Sequence, residues 1–429
     1  MSLAGEFHLI GIGGVGMSAL AQALIDAGHA VTGADRSLGA DGTLARSPVL
    51  AALERQGVRL FPDDGSGVSA GTARVVVSTA VAETNAGLRR ARELGISVTH
   101  RAAALAEVLS LRRLVAVAGT CGKSTVTAIL GHLLVESGFD PVVVNGAQIA
   151  GWDEGGARVG SARKGAGEFA VAEVDESDKS LVAFRPYAAI VTNASADHYS
   201  KEEMDAVFDA FVSGVPGPVV DGRRERILPS PLAREIPMPG EHNAVNAECA
   251  IRMARLLGAD EAALAAAVRT FPGVERRLQR VGAMRTCSGE AVVFDDYAHN
   301  PEKLHAMLVT LQEAYPQGVA AVWRPHGFAP LRKMKDALAE MFRATLRAQD
   351  MLVLLPVYDA GGTTDRSMNS DALAADLAGA PVVLAADLDD AERMLRERAA
   401  EFGALAVCGA RDPGLPILAR RLVKGGYDR

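Results

Sequence analysis

The chain has 429 residues, 49% hydrophobic and 23% charged, a balance that supports several folded domains and argues against disorder. Its net charge of −7 excludes a general affinity for nucleic acid, so any phosphate binding must be local. The four cysteines stand apart with no Cys-x-x-Cys pair, and no apolar run approaches the roughly 20 residues of a membrane span. Met1–Phe7 lacks the basic start and apolar core of an export signal. A cytosolic globular protein with reduced thiols and no membrane or nucleic-acid partner is expected.

Strand-like runs alternate with helix-like stretches nearly throughout, which predicts α/β layers around mostly parallel sheets. A first block opens with strand Phe7–Gly11, a glycine turn and a helix from Val15 to Ala27, then strands Ala30–Ala34, Val58–Phe61 and Val75–Thr79, and closes with helix Ala102–Leu109. The buried strand Leu114–Ala118 begins a second block, with strands near Pro141–Asn145, Phe169–Val174 and Ala188–Asn193 and helices near Lys201–Phe211, His242–Leu257 and Glu261–Thr270. Its stretch Gly214–Pro239, rich in proline and arginine, reads as a loop without period. After Phe271-Pro272-Gly273 a third block alternates helices with strands near Ala291–Asp295, Val319–Trp323, Asp350–Leu355, Val382–Leu384 and Leu405–Cys408. Three domains are expected, at 1–113, 114–277 and 278–429. The first and third read as Rossmann-like, the second as P-loop ATPase-like.

Within the second block, Val115-Ala-Val-Ala-Gly119-Thr120-Cys121-Gly122-Lys123-Ser124-Thr125 is a buried strand breaking into glycines and then a helix. Glycines let backbone N–H groups turn toward an anion, and the helix N-terminus adds its positive dipole end. Lys123 would neutralise ATP phosphates and the Ser124 hydroxyl could sit on Mg²⁺. Carboxylates follow at the ends of two later strands, Glu173-Val-Asp175-Glu-Ser-Asp178 and Thr192-Asn-Ala-Ser-Ala-Asp197-His198, where a doubly wound sheet opens its ligand crevice. Mg²⁺ prefers one or two carboxylates with phosphate oxygens and water, which makes Glu173 a candidate ligand. Upstream, Gly11-Ile-Gly13-Gly14-Val15-Gly16 fits the dinucleotide turn, with Asp35 at the end of the next strand. Alone it fits NAD, another nucleotide or a tight structural turn.

In their order these pieces resemble the Mur ligases over nearly the whole chain, most of all the branch that joins alanine to UDP-N-acetylmuramate. The opening His8-Leu-Ile-Gly-Ile-Gly-Gly-Val-Gly-Met-Ser-Ala-Leu-Ala resembles that branch's N-terminal domain, whose glycine turn holds the diphosphate of a UDP-sugar. Ser78-Thr79-Ala80-Val81 and His100-Arg101 resemble further uridine-nucleotide contacts, and Ala116–Thr125 the ATP loop. The resemblance implies metal ligation by Ser124, Glu173 and His198, and catalytic roles for Lys123, Glu173 and His198. Pro239-Gly-Glu-His242-Asn243-Ala-Val-Asn246 is similar to a nucleotide-contacting helix start, Gly273-Val-Glu-Arg-Arg277 to the hinge, and Asp295-Asp296-Tyr297-Ala-His299-Asn-Pro301 to the motif that reaches ATP ribose and base. It implies an ATP- and Mg²⁺-dependent, ADP-forming ligase in peptidoglycan precursor synthesis. Such an enzyme activates a nucleotide-linked carboxylate as an acyl phosphate and works as a monomer or homodimer. A relative that adds another amino acid or peptide, or that binds nucleotides with little activity, stays open.

The chain also departs from the branch. Cys121 stands where His is usual and Ser124 where Thr is usual, and the stretch from Tyr199 to Gly240 is short. Trp323-Arg-Pro-His326-Gly-Phe lacks the Arg of the family's Gln-Pro-His-Arg element, with Arg332 nearby, and Tyr358-Asp-Ala-Gly-Gly362 lacks the usual acid. These positions lie where substrates are chosen, so the ligase class is better specified than the substrate.

Overall fold

A computed structural model describes residues 5–38, 47–175, 180–194, 201–286, 289–359 and 365–424. The chain divides into two compact units, Met1–Pro237 with His242–Val274, and Met238–Glu241 with Glu275–Arg429.

The first unit carries two sheets. Strands β1 (Glu6–Ile10), β2 (Ala30–Asp35), β3 (Arg59–Pro62), β4 (Thr72–Val77) and β5 (Ser97–His100) run parallel in the order β3-β2-β1-β4-β5. The order reverses between β1 and β4, and at such a switch point the loops diverge and leave a crevice at the strand carboxyl ends. The second sheet contains β6 (Arg113–Ala118), β7 (Val142–Val144), β8 (Ala162–Arg163), β9 (Phe169–Glu173), β10 (Ala188–Val191) and β11 (Val219–Asp221), in the order β11-β10-β6-β9-β7-β8. Only β8 is antiparallel to its neighbour. Central β6 is flanked by β9 and β10 and covered on both faces, which is why Leu114–Ala118 is uninterruptedly apolar.

One apolar core runs through both sheets, from Phe7 and Leu9 to Ala170 and Phe208. Helix Val15–Asp26, which leaves the glycine turn, lies inside it with every residue from Met17 to Leu24 buried. A helix covered on all sides has no polar stripe, as Met-Ser-Ala-Leu-Ala-Gln-Ala-Leu shows.

The second unit holds β12 (Gln279–Thr286), β13 (Gly289–Asp296), β14 (Val319–Trp323), β15 (Met351–Leu354), β16 (Val382–Leu384) and β17 (Ala404–Cys408), in the order β12-β13-β17-β14-β15-β16. All neighbours are parallel except β12 and β13, and a separate apolar core fills each face.

The α/β reading holds, and three elements differ from it in detail. The Gly214–Pro239 stretch contains strand β11, and the strand expected from Pro141 to Asn145 is confined to Val142–Val144, which frees Asn145 as a loop residue. Strand β12 was not anticipated: only Met284 of its eight residues is buried, so it carries no apolar alternation.

Candidate active site

Beyond β1 the chain turns on Gly11 (φ +75°), whose carbonyl accepts the Gly14 N–H at 3.1 Å, while Gly11 and Ile12 N–H both donate to Ala34 O. The helix then starts at Val15 with no side-chain cap, so its first amides are available to an anion. Asp35, at the end of β2, is committed to this loop. Its Oδ2 accepts Gly13 N–H at 2.9 Å, and its Oδ1 accepts the Ser37 N–H and hydroxyl at 3.0 and 2.8 Å. A carboxylate clasped in this way braces the turn.

The loop after β4 brings Ser78, Ala80 and Val81 to the same crevice, and Arg101 enters from helix Arg101–Leu109. A side chain at Gly16 would fall 3.0 Å from the Arg101 guanidinium, so glycine here lets that cation lie close on the turn without displacement. The His100 ring instead accepts the Ala102 N–H at 3.3 Å and caps the helix. Gly13, Thr79 and His100 do not line the crevice, whereas Gly11, Gly14, Val15, Gly16, Asp35, Ser78, Ala80 and Arg101 do.

After β6 the second glycine loop is drawn tight. Gly119 (φ +126°) and Gly122 (φ +85°) hold conformations closed to other residues, and Gly122 caps helix Lys123–Glu136. The end of β10 pins the loop: Asn193 Oδ1 accepts the Thr120 hydroxyl at 2.6 Å and the Cys121 N–H at 2.9 Å. Thr192 Oγ1 and Asn193 Nδ2 donate to Cys121 O at 2.6 and 3.0 Å. The Lys123 ammonium folds back onto Gly119 O at 2.6 Å, and Ser124 and Thr125 are buried at the helix start. Asn246 on helix Glu241–Leu256 abuts Gly122, where an added Cβ would lie 2.6 Å from its Oδ1, and Asn243 is buried one turn earlier while His242 is exposed.

Glu173 closes β9 and accepts the Gly146 N–H at 2.8 Å, and any side chain at Gly146 would run into its carboxylate. Asn145 beside it is 2% exposed; its Oδ1 accepts Gly146 N–H at 3.0 Å, while its Nδ2 donor has no hydrogen-bond partner among the described residues. Both glycine-turn and Glu173 walls belong to one open cleft of about 550 Å³, running from Gly11–Gly16 and Arg101 to Asn145, Gly146, Glu173 and Asp175. Arg36 and Arg101 supply positive charge at the turn, and Glu173 and Asp175 supply carboxylates at the far wall. The cleft can therefore hold an elongated anion at one end and a metal-bound or phosphorylated group at the other. His198, expected as a metal ligand, lies outside the described residues.

In the second unit, Asp296 ends β13 fully engaged: Oδ2 accepts Leu278 N–H at 2.6 Å and Oδ1 accepts Ala298 N–H at 2.7 Å. Burial raises its pKa above the carboxylate range against the pull of those donors. Burial likewise lowers the His299 pKa to about 4, leaving a neutral imidazole with its Nδ1 at Tyr297 O and its ring edge-on to His326. The Arg277 guanidinium lies 5.4 Å from the Tyr297 ring centre.

Sequence spacing singled out the glycine loops, Lys123 and Glu173 but gave no part to Asn145 and Gly146, and it marked Thr192 and Asn193 only as the start of a carboxylate cluster. The signal available for them was position alone, since each follows the carboxyl end of a buried strand.

A switch-point glycine turn and a lysine-bearing glycine loop thus stand in one α/β body. The Mur ligase family, catalytic domain, matches residues 6–113, and the Mur ligase, glutamate ligase domain, matches residues 276–411. The UDP-N-acetylmuramate–L-alanine ligase of Halorhodospira halophila is 33% identical over 98% of this chain and 94% of its own length. Its namesake in Thiobacillus denitrificans is 35% identical over 83% of this chain and 84% of its own. Among solved structures, the UDP-N-acetylmuramate–alanine ligase of Thermotoga maritima superposes with a TM-score of 0.76 at 23% identity, covering 98% of both chains. The chain belongs to the Mur ligase family and is an ATP-dependent ligase that forms amide bonds.

Proposed function

We propose that the chain joins L-alanine to the carboxylate of UDP-N-acetylmuramate in peptidoglycan precursor synthesis, in the cytoplasm, through an acyl phosphate. The single cleft running from the glycine turn to Glu173 carries this reading. It offers the diphosphate of a UDP-sugar a helix N-terminus and Arg101, with room for the sugar acid to reach Glu173 beside the phosphate loop's own sheet. The relatives named above act on UDP-N-acetylmuramate and alanine by name, which supports the substrate pair.

In this reading Gly119, Thr120, Cys121, Gly122, Lys123, Ser124 and Thr125 cradle the ATP phosphates, with His242, Asn243 and Asn246 alongside. The sugar carboxylate attacks the γ-phosphorus, ADP leaves, and the alanine amine then displaces phosphate from the acyl phosphate. Lys123 exchanges its Gly119 carbonyl for phosphate oxygens and neutralises charge as two anions approach. Asn145 Nδ2 donates to the acid. The donor set fits Mg²⁺: Glu173 keeps Oε1 beyond its bond to Gly146, and a hydroxyl at Ser124 and one carboxylate are what this ion takes beside phosphate oxygens and water. Mg²⁺ held by Ser124, Glu173 and His198 would supply further charge neutralisation. Arg277, Asp296 and His299 are assigned to ATP by the family resemblance, as are domain limits at 113/114 and 277/278.

ATP-dependent phosphate release, screened over UDP-sugar acids crossed with amino acids and peptides, tests the assignment. Turnover with UDP-N-acetylmuramate and alanine above every other pair is expected. A preference for another acid or a peptide would replace the substrate while keeping the ligase.

A further inference from the structure

The buried glycine-turn helix carries one long polar side chain, Gln22, which is fully buried and paired twice with a single residue of the second sheet's domain. Its Nε2 donates to Val159 O at 2.9 Å, and its Oε1 accepts Val159 N–H at 2.9 Å. One turn further on, Asp26 takes both arms of the Arg158 guanidinium at 3.0 and 2.6 Å, with both side chains 13% exposed. An amide in an apolar core is tolerable only when satisfied, so this register of the helix against the Val159 backbone is strongly selected.

These bonds lead back to the cleft. Val159 leads toward β8, and in the turn just before that strand Ser161 O accepts the Asn145 N–H at 2.8 Å, while Gly146 N–H goes on to Glu173. The two walls of the cleft are thus tied to each other through the second half of a 12-residue helix, with Gln22 about 10 Å and Asp26 about 16 Å along its axis from the turn it begins at.

We propose that Gln22 and the Asp26–Arg158 pair are positioning residues that fix the reach from the glycine turn to Asn145 and Glu173, and so set the length of nucleotide-linked acid the enzyme aligns. The inference rests on the ligase reading. None of Gln22, Asp26, Arg158 and Val159 lines the cleft, so a fragment that fills one wall alone should not sense the latch.

The test uses the full chain, with Gln22→Met, which keeps volume and removes both bonds to Val159 along with the one Gln22 Oε1 accepts from Gln56 Nε2 at 3.3 Å, and the charge reversals Asp26→Arg and Arg158→Asp, singly and together. Calorimetry with UDP, with ATP and with UDP-N-acetylmuramate is combined with steady-state kinetics. The single variants should bind UDP and ATP within about twofold of the unaltered chain, yet bind the whole acid about tenfold more weakly and lose kcat. The double reversal should regain most of that loss. If Gln22→Met does not fold, Asp26→Asn at the partly exposed end carries the same expectation. Unchanged whole-acid binding and kcat would overturn the proposal. So would a parallel loss of UDP, ATP and acid binding, or a double reversal no better than the singles. An unaltered chain that turns over no UDP-linked acid would instead defeat the substrate assignment, while the contrast between UDP and whole-acid binding would still judge the latch.

Discussion

Gly119→Ala is the substitution whose cost can be worked most directly. The new Cβ would overlap the Thr192 hydroxyl and stand 3.0 Å from Thr192 N and 3.1 Å from Asn193 N, so main chain must move as well as side chain. At φ +126° an L-residue carries strain of about 1–3 kcal/mol. Displacing Thr192 Oγ1 forfeits its bond to Cys121 O, worth about 1 kcal/mol. In the free protein the loop relaxes away from β10 and escapes much of this cost. Binding phosphate must then reimpose the tight form, so the penalty falls on ligand affinity more than on stability. About 2–4 kcal/mol corresponds to an ATP Kd raised roughly 30- to 1,000-fold. Gly138→Ala is the matched control: φ is +80° and nothing lies within 4 Å of the added methyl, so it should cost about 1 kcal/mol of stability and no ATP affinity. Calorimetric ATP titrations with thermal melts on both variants decide the matter. ATP binding by Gly119→Ala within about threefold of the unaltered chain would refute the claim that the β10 clasp shapes the phosphate site.

Lys123→Ala should abolish turnover with the melting temperature little changed, because its half-buried ammonium donates to a loop carbonyl outside the apolar core; near-normal kcat would remove the loop from the ATP site. Glu173→Ala should lower kcat and demand much more Mg²⁺ for half-maximal rate, and an unaltered Mg²⁺ titration would exclude Glu173 as a ligand. Among the described cysteines Cys249 and Cys408 are buried and Cys121 is not, so a thiol-alkylating reagent should inactivate through Cys121 and Mg-ATP should protect; rapid inactivation indifferent to saturating ATP would place the sensitive thiol elsewhere. Calorimetry on the full chain should show UDP-N-acetylmuramate or UDP binding more tightly than NAD, and the reverse order would defeat the nucleotide assignment of the first glycine turn.

That last contrast shows what spacing alone could and could not disclose. The dinucleotide fingerprint was legible because its glycines must stand at fixed intervals between a buried strand and a helix, and Asp35 fell where the fingerprint places a ribose-binding acid. Geometry adds what spacing does not disclose: Asp35 lines the crevice and also holds Gly13 N–H and Ser37. The phosphate loop was equally legible, while the Thr192–Asn193 clasp that shapes it comes from a strand some 70 residues away in sequence, and only the pairing of β6 with β10 brings them together. Fold followed the same division. Strands covered on both faces, such as β6, announce themselves by composition, whereas edge strand β12, with one buried residue, takes its place from antiparallel pairing with β13 and from the Gly282 contact with Val423. Gln22 is the sharpest instance. One amide in an apolar helix reads as a minor flaw in the pattern, yet its two bonds to Val159 tie the glycine turn to the wall that holds Glu173. A polar residue that interrupts an otherwise buried helix is thus better read as a question about its partner than as noise in the helix.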